Sequence, residues 1–235
     1  KEGPNGYTYV NNRPHCQVDL YGSFSLCLSK LDFNEQNSSS LNFDYITTDT
    51  PCVTFDDGFE DRNSVRYLFN SKLQLERHEY EPSRLFNLSE NGFIDYPGKM
   101  HTFINGVWNN FEDSKQNAEH LSSLAGGINI HSVFNATHGK DIDIYEYTQG
   151  MKYVATSPVR LLHKLWDDCF AKLPEDAIIL HFCHSQGAVH TRNALLTYPP
   201  EQRERIRVVA IAPGAYIDED LCHSVVHYRN ADWMR

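Results

Sequence analysis

The run Cys183-His184-Ser185-Gln186-Gly187 sets a serine where an apolar stretch, residues 177–182, gives way to a segment suited to a helix. Serine is a poor nucleophile at neutral pH; it needs a base for its proton and dipoles for the developing oxyanion. A strand–elbow–helix supplies part of this by geometry, because the turn strains the serine backbone and lifts its hydroxyl above the sheet. The chemistry this pattern supports is attack of Ser185 on an ester carbonyl, with the backbone N–H of Gln186 as one oxyanion donor. The G-x-S-x-G pattern of such elbows has glycine where Cys183 stands here. A strand–turn–helix with small residues is also a plain α/β connection.

The second oxyanion donor of an elbow enzyme comes from the loop after an earlier strand. That loop is Asn105-Gly106-Val107-Trp108, which makes Gly106 the candidate donor and Val107 its alternative. The order serine, acid, histidine leaves two acids, Asp218 beyond a strand at 206–212 and Asp232 beyond a strand at 224–228. Asp232 is preferred, because Tyr-Arg-Asn-Ala-Asp-Trp at 228–233 reads as a strand followed by a loop bearing the acid. Only three residues follow Asp232 and none is histidine. Three explanations compete: a histidine downstream in a longer protein, a local base such as His138, or an inactive site. The start at Lys1 and the stop at Arg235 favour a piece of a longer protein.

Other reactive groups carry less. His181 and His184 are three apart on an extended strand, so they point to opposite faces and do not converge on one metal ion. Cys183 closes an apolar strand with no basic partner in sequence, which suits packing better than attack. Asp56, Asp57, Glu60 and Asp61 lack the alternating spacing of a calcium loop and read as a solvated acidic turn. No metal and no cofactor is called for.

The 235 residues carry a net charge of −10, which repels phosphate backbones and argues against a nucleic-acid partner. Hydrophobic residues at 40% and charged residues at 22% fit an ordinary globular chain. No apolar stretch reaches the roughly 20 residues that span a bilayer. The six cysteines have no close pairs and are expected to be reduced; sequons at Asn37, Asn87 and Asn135 matter only in a glycosylating pathway.

Positioning the serine falls to the elements around it. From residue 100 strands and helices alternate: strands at 101–105 and 129–135, and a helix at 112–125 ended by Gly126-Gly127. A second helix is opened by Ser157-Pro158, with Ser157 as cap, and closed by Pro174. The elbow strand with its helix follows, then the strands at 206–212 and 224–228. Residues 136–156 read as a long connection, either covering a site or making a surface excursion with one helical turn. Upstream, residues 65–79 read as two antiparallel strands, 16–28 as one weak strand and 43–46 as a short one.

The motifs Phe-Ile-Asn-Gly-Val-Trp-Asn (103–109), Glu-Asp-Ser-Lys-Gln-Asn-Ala-Glu-His-Leu-Ser (112–122), Phe-Asn-Ala-Thr-His-Gly (134–139), Cys-His-Ser-Gln-Gly-Ala (183–188) and Ala-Pro-Gly-Ala-Tyr-Ile (212–217) together resemble a family of uncharacterised chlamydial proteins with an α/β-hydrolase-like domain. The resemblance covers residues 103–233. It implies a bacterial protein, cytoplasmic or secreted into a host, of the lipase-like class, and supplies no substrate. The expected fold is thus one α/β-hydrolase-like domain over residues 1–235: a parallel-rich sheet with helices on both faces, preceded by a partly antiparallel region over residues 1–100. The expected function is hydrolysis of a small-molecule or lipid ester. The alternatives are an inactive hydrolase fold serving as an interaction module or bacterial effector, and a metal-dependent hydrolase.

Overall fold

The computed structural model describes residues 51–89, 93 and 97–230, together with three short strands upstream; for residues 229 and 230 it describes the backbone alone. One nine-stranded sheet organises them. Its centre is five parallel strands in the order β9 (His131–Phe134), β8 (Met100–Ile104), β11 (Ile179–His184), β12 (Ile206–Ile211) and β13 (Ser224–Asn230). Each edge is closed by antiparallel pairing. β7 (Arg84–Asn87) lies beside β9, while β1 (Gly6–Tyr9), β2 (Cys16–Val18) and β3 (Phe24–Ser25) extend the sheet beyond β13.

The mostly parallel α/β architecture agrees with the sequence reading, and the antiparallel character of the upstream region is also found. One correction applies there. The single strand expected over 16–28 is two strands, and strands of the upstream region supply both flanks of the main sheet. The strand expected at 43–46 lies outside the described residues. β4 (Thr54–Phe55) pairs with β10 (Val154–Ala155), and β5 (Val65–Phe69) with β6 (Leu75–Glu79) forms the expected hairpin.

Central strands of a sheet covered on both faces are apolar throughout, and alternate residues feed opposite cores. Phe182 lies between Phe103 and Val209 in register, and all three enter one core with Ala118 and Leu121 of helix α2 (Phe111–Leu124). Cys183 lies between Ile104 and Ala210 and enters the other, with Leu162, Leu165 and Trp166 of α4 (Ser157–Phe170) and Ala188 and Leu195 of α5 (Gln186–Thr197). Helices therefore cover both faces.

α2 starts on a capping box in which Asn110 accepts from the Asp113 N–H and Asp113 accepts from the Asn110 N–H. It stops before Gly126 and Gly127, both at positive φ. α4 begins where expected, but its cap position is Thr156, not Ser157, and it ends at Phe170, before Pro174. The connection at 136–156 holds a full helix, α3 (Lys140–Met151), in place of one helical turn. Gly150 lets α3 cross α5 closely: a Cβ there would sit 2.8 Å from Val189 Cγ1. No helix among the described residues is long and apolar enough to cross a membrane.

Candidate active site

Ser185 joins β11 to α5 with φ 52° and ψ −119°, a backbone region that L-residues other than glycine rarely occupy. Its backbone is pinned on both sides. The Ser185 N–H donates to Ile211 O at 3.1 Å, and the Ser185 carbonyl accepts from Ala188 N at 3.0 Å and Gly214 N at 2.8 Å. Gln186 is the first residue of α5, so its N–H is among the four that lack an intrahelical acceptor, and the positive end of the helix dipole lies beside the serine.

The neighbouring loops reach the serine because glycines admit them. A Cβ on Gly106 would lie 2.6 Å from Ser185 Cβ, and one on Gly187 would lie 2.8 Å from both Ile104 O and Asn105 O. The loop after β8 is thus in backbone contact with the elbow, where the sequence places the second oxyanion donor. On the other flank a Cβ on Gly214 would lie 3.0 Å from Ser185 O and 2.9 Å from Tyr147 Cε2; the Tyr147 hydroxyl donates to Gly214 O at 2.8 Å.

Strain gathers at this edge of the sheet. Trp108 (φ 60°) follows β8, Ser185 follows β11 and Ala212 (φ 43°) follows β12, all three of them non-glycine residues at positive φ on adjacent parallel strands. Trp108 and Tyr216, on the two loops that flank the elbow, are each 53% exposed, and Lys140 Nζ sits 5.7 Å from the Trp108 ring centroid. Cys183, in the place of the usual glycine, fits because its side chain enters the α4–α5 core; burial pushes its thiol up to about 12, which suits packing rather than attack.

The acids and histidines divide. Asp218 lies beyond β12, exposed, and its charge acts on Arg192 of α5. Asp232, two positions past the end of β13, is outside the described residues. Among the described residues, the hydrogen bonds that reach Ser185 end on its backbone. His138 is buried just before α3, its ring with Phe59 edge-on at 5.7 Å and Tyr80 at 6.0 Å; its backbone N–H donates to Asp143 Oδ1, and burial lowers the ring's pKa, keeping it neutral.

His181 bridges two hydroxyls in the core. Thr191 donates to Gly187 O, so it accepts from His181 Nε2 at 2.9 Å, and Nδ1 accepts from Thr102 at 2.8 Å. Both ring nitrogens are committed, and burial lowers the ring to about 3. The acidic turn is also occupied: Asp56 pairs with Arg62, Asp57 with Arg160, and Glu60 accepts from Ser83 N.

Sequence reasoning missed a buried polar chain behind the elbow. Gln186 Nε2 donates to Glu146 Oε2 at 3.3 Å, Thr156 Oγ1 donates to Glu146 Oε1 at 2.5 Å, and Asn135 Nδ2 donates to Gln186 Oε1 at 3.1 Å. Asn135, read as part of a sequon, is 2% exposed and committed to this chain, leaving no access for a glycan. No local pattern in the sequence marks the polar chain, because its members lie far apart along the polypeptide.

No protein-family model and no curated protein matches the chain. Among solved structures it is similar to Est1E from Butyrivibrio proteoclasticus, at 16% identity and a TM-score of 0.32, over 65% of this chain and 52% of that one. The chain therefore spans about half the length of that neighbour, and a likeness at this level carries no functional inference.

Proposed function

We propose that residues 1–235 form a single α/β-hydrolase-like domain of the lipase/esterase type that cleaves a small-molecule or lipid ester through an acyl-enzyme on Ser185. In this reading the N–H groups of Gln186 and the Gly106 loop hold the oxyanion, and Asp232 orients the base. The carrying observation is the Ser185 backbone, held at φ 52° between β11 and α5 with the Gly106 loop pressed against its Cβ. A plain α/β connection has no need of that strain or of that approach. The exposed Trp108 and Tyr216 beside the elbow suit an apolar acyl or alcohol group. The resemblance of residues 103–233 to the chlamydial hydrolase-like family is in line with this reading.

A fluorophosphonate probe tests it. The reading expects one covalent adduct on the wild-type protein and none on Ser185→Ala; an adduct that survives Ser185→Ala refutes the nucleophile.

One observation favours a second reading, an interaction module on an inactive hydrolase fold. The β5–β6 hairpin holds Tyr67, Phe69, Leu73 and Leu75 out of the core, Leu73 at 81% exposure, and exposed apolar groups of this kind mark contact surfaces. Stoichiometric labelling of Ser185 decides for the enzyme.

A further inference from the structure

We infer that Glu146 and Asn105 are positioning residues that hold the two oxyanion donors in register through one buried chain of hydrogen bonds. The inference rests on the acyl-enzyme reading of Ser185 and adds to it how the donors are kept in place.

The chain begins at α3, where the Glu146 carboxylate accepts from Thr156 on one oxygen and from the Gln186 side chain on the other. Gln186 accepts in turn from Asn135. Asn135 is tied twice to Asn105: its N–H donates to Asn105 Oδ1 at 2.8 Å, and its carbonyl accepts from Asn105 Nδ2 at 2.8 Å. Asn105 Nδ2 also donates to Gly106 O at 2.9 Å, and Ser114 donates to Asn105 Oδ1 at 3.0 Å. A peptide plane is rigid, so fixing the Gly106 carbonyl fixes the direction of the N–H of Val107, the alternative donor, and holds the loop that carries the Gly106 N–H. The oxyanion loop and the first residue of the elbow helix are thereby joined through side chains from four segments of the chain.

Burial gives these bonds their weight. Asn105, Ser114, Asn135, Glu146, Thr156 and Gln186 are all at most 5% exposed, and a buried polar group that loses its partner carries the full desolvation penalty. The Asn105 amide uses both hydrogens and both lone pairs of its oxygen, leaving no slack for the loop to move. The ionised Glu146 carboxylate accepts from both Thr156 and Gln186; with a proton on, it donates to the Thr156 hydroxyl and still accepts from Gln186, so both contacts persist in either state. Burial, with the charges of Asp143 on its own helix and of Glu60 adding to it, raises this carboxyl to about 7 against the opposing hydrogen bonds from Thr156 and Gln186.

The test measures the phosphonylation rate of Ser185 per folded molecule for wild type, Glu146→Leu, Glu146→Gln and Asn105→Ala, with hydrogen–deuterium exchange of the peptides covering 105–108 and 185–187. A displaced donor is expected to slow labelling about 10- to 100-fold. Glu146→Leu and Asn105→Ala should show that loss, whereas Glu146→Gln, whose amide oxygen can accept from Gln186 and whose NH2 can donate to Thr156, should label at close to the wild-type rate. Exchange at 105–108 should quicken in Glu146→Leu, although Glu146 makes no hydrogen bond to that loop itself.

A wild type that labels, alongside a Glu146→Leu that labels at the same rate or a Glu146→Gln that fails to restore the rate lost in Glu146→Leu, overturns the positioning role and leaves the nucleophile standing. A wild type that does not label, with exchange still coupled between the two segments, overturns the hydrolase reading and reduces the chain to a structural strut.

Discussion

Replacing Gly106 by alanine places a methyl carbon 2.6 Å from Ser185 Cβ and 3.2 Å from both Nδ1 and the carbonyl oxygen of His184. Ordinary carbon contacts lie at about 3.5–4.0 Å, so the loop or the elbow has to give way by about 1 Å. The elbow has little freedom to do so, because Ser185 is held to Ile211 and Gly214 by its own backbone. The loop is therefore the part that retreats, at an overpacking cost of about 1–3 kcal/mol in stability. A retreat of about 1 Å also takes a donor out of the roughly 2.7–3.1 Å window for an oxyanion, and losing one donor costs about 10²–10³ in rate. The assay pairs the fluorophosphonate labelling rate with thermal melting, so that the loss is read per folded molecule. A Gly106→Ala protein that melts as wild type and labels at the wild-type rate refutes the claim that this loop forms part of the site.

Ser185→Gly should abolish labelling and raise the melting temperature by the equivalent of about 1 kcal/mol, since glycine occupies φ 52° without strain; a lower melting temperature contradicts the strain argument. His190 is buried in α5 with neither ring nitrogen hydrogen-bonded, so His190→Leu should stabilise the protein by about 1–3 kcal/mol at pH 7. Burial lowers that ring to about 3 from 6.5, so the stability of the neutral form is full above 6.5 and is lost as pH falls towards 3. The advantage of His190→Leu should therefore grow between pH 6.5 and 4, and equal melting shifts at both pH values count against it. Asp232→Ala should cut labelling by about 10³–10⁴ while Asp218→Ala leaves it unchanged; the reverse result makes Asp218 the acid.

The elbow was legible because its code is local. An apolar strand, small residues at the turn and a helix-compatible exit occupy one short stretch, and neither Cys183 nor its missing glycine altered the outcome, since the side chain at that position enters the core. The parallel centre was legible for the same reason, in near-continuous apolar runs such as 206–212. α3 was not, because its buried face is polar: Asp143, Glu146 and Gly150 point inward while Ile144 and Tyr145 are exposed, which inverts the helical hydrophobic pattern. The Ser157 cap failed because Thr156 takes the cap position and gives its hydroxyl to Glu146 instead. The chain from Asn105 to Glu146 is invisible in sequence, since its partners lie 30 to 51 positions apart at Asn105–Asn135 and Asn135–Gln186. The edge strands were equally hidden, because pairing β7 with β9 and β1 with β13 is set by the sheet as a whole.

The most direct measurement is peptide mass mapping after reaction with a fluorophosphonate, carried out on wild type and on Ser185→Ala. A single adduct on Ser185, lost in the variant, is the predicted result. A folded wild-type protein with no adduct, or with its adduct on another residue, contradicts the assignment of Ser185 as an activated nucleophile.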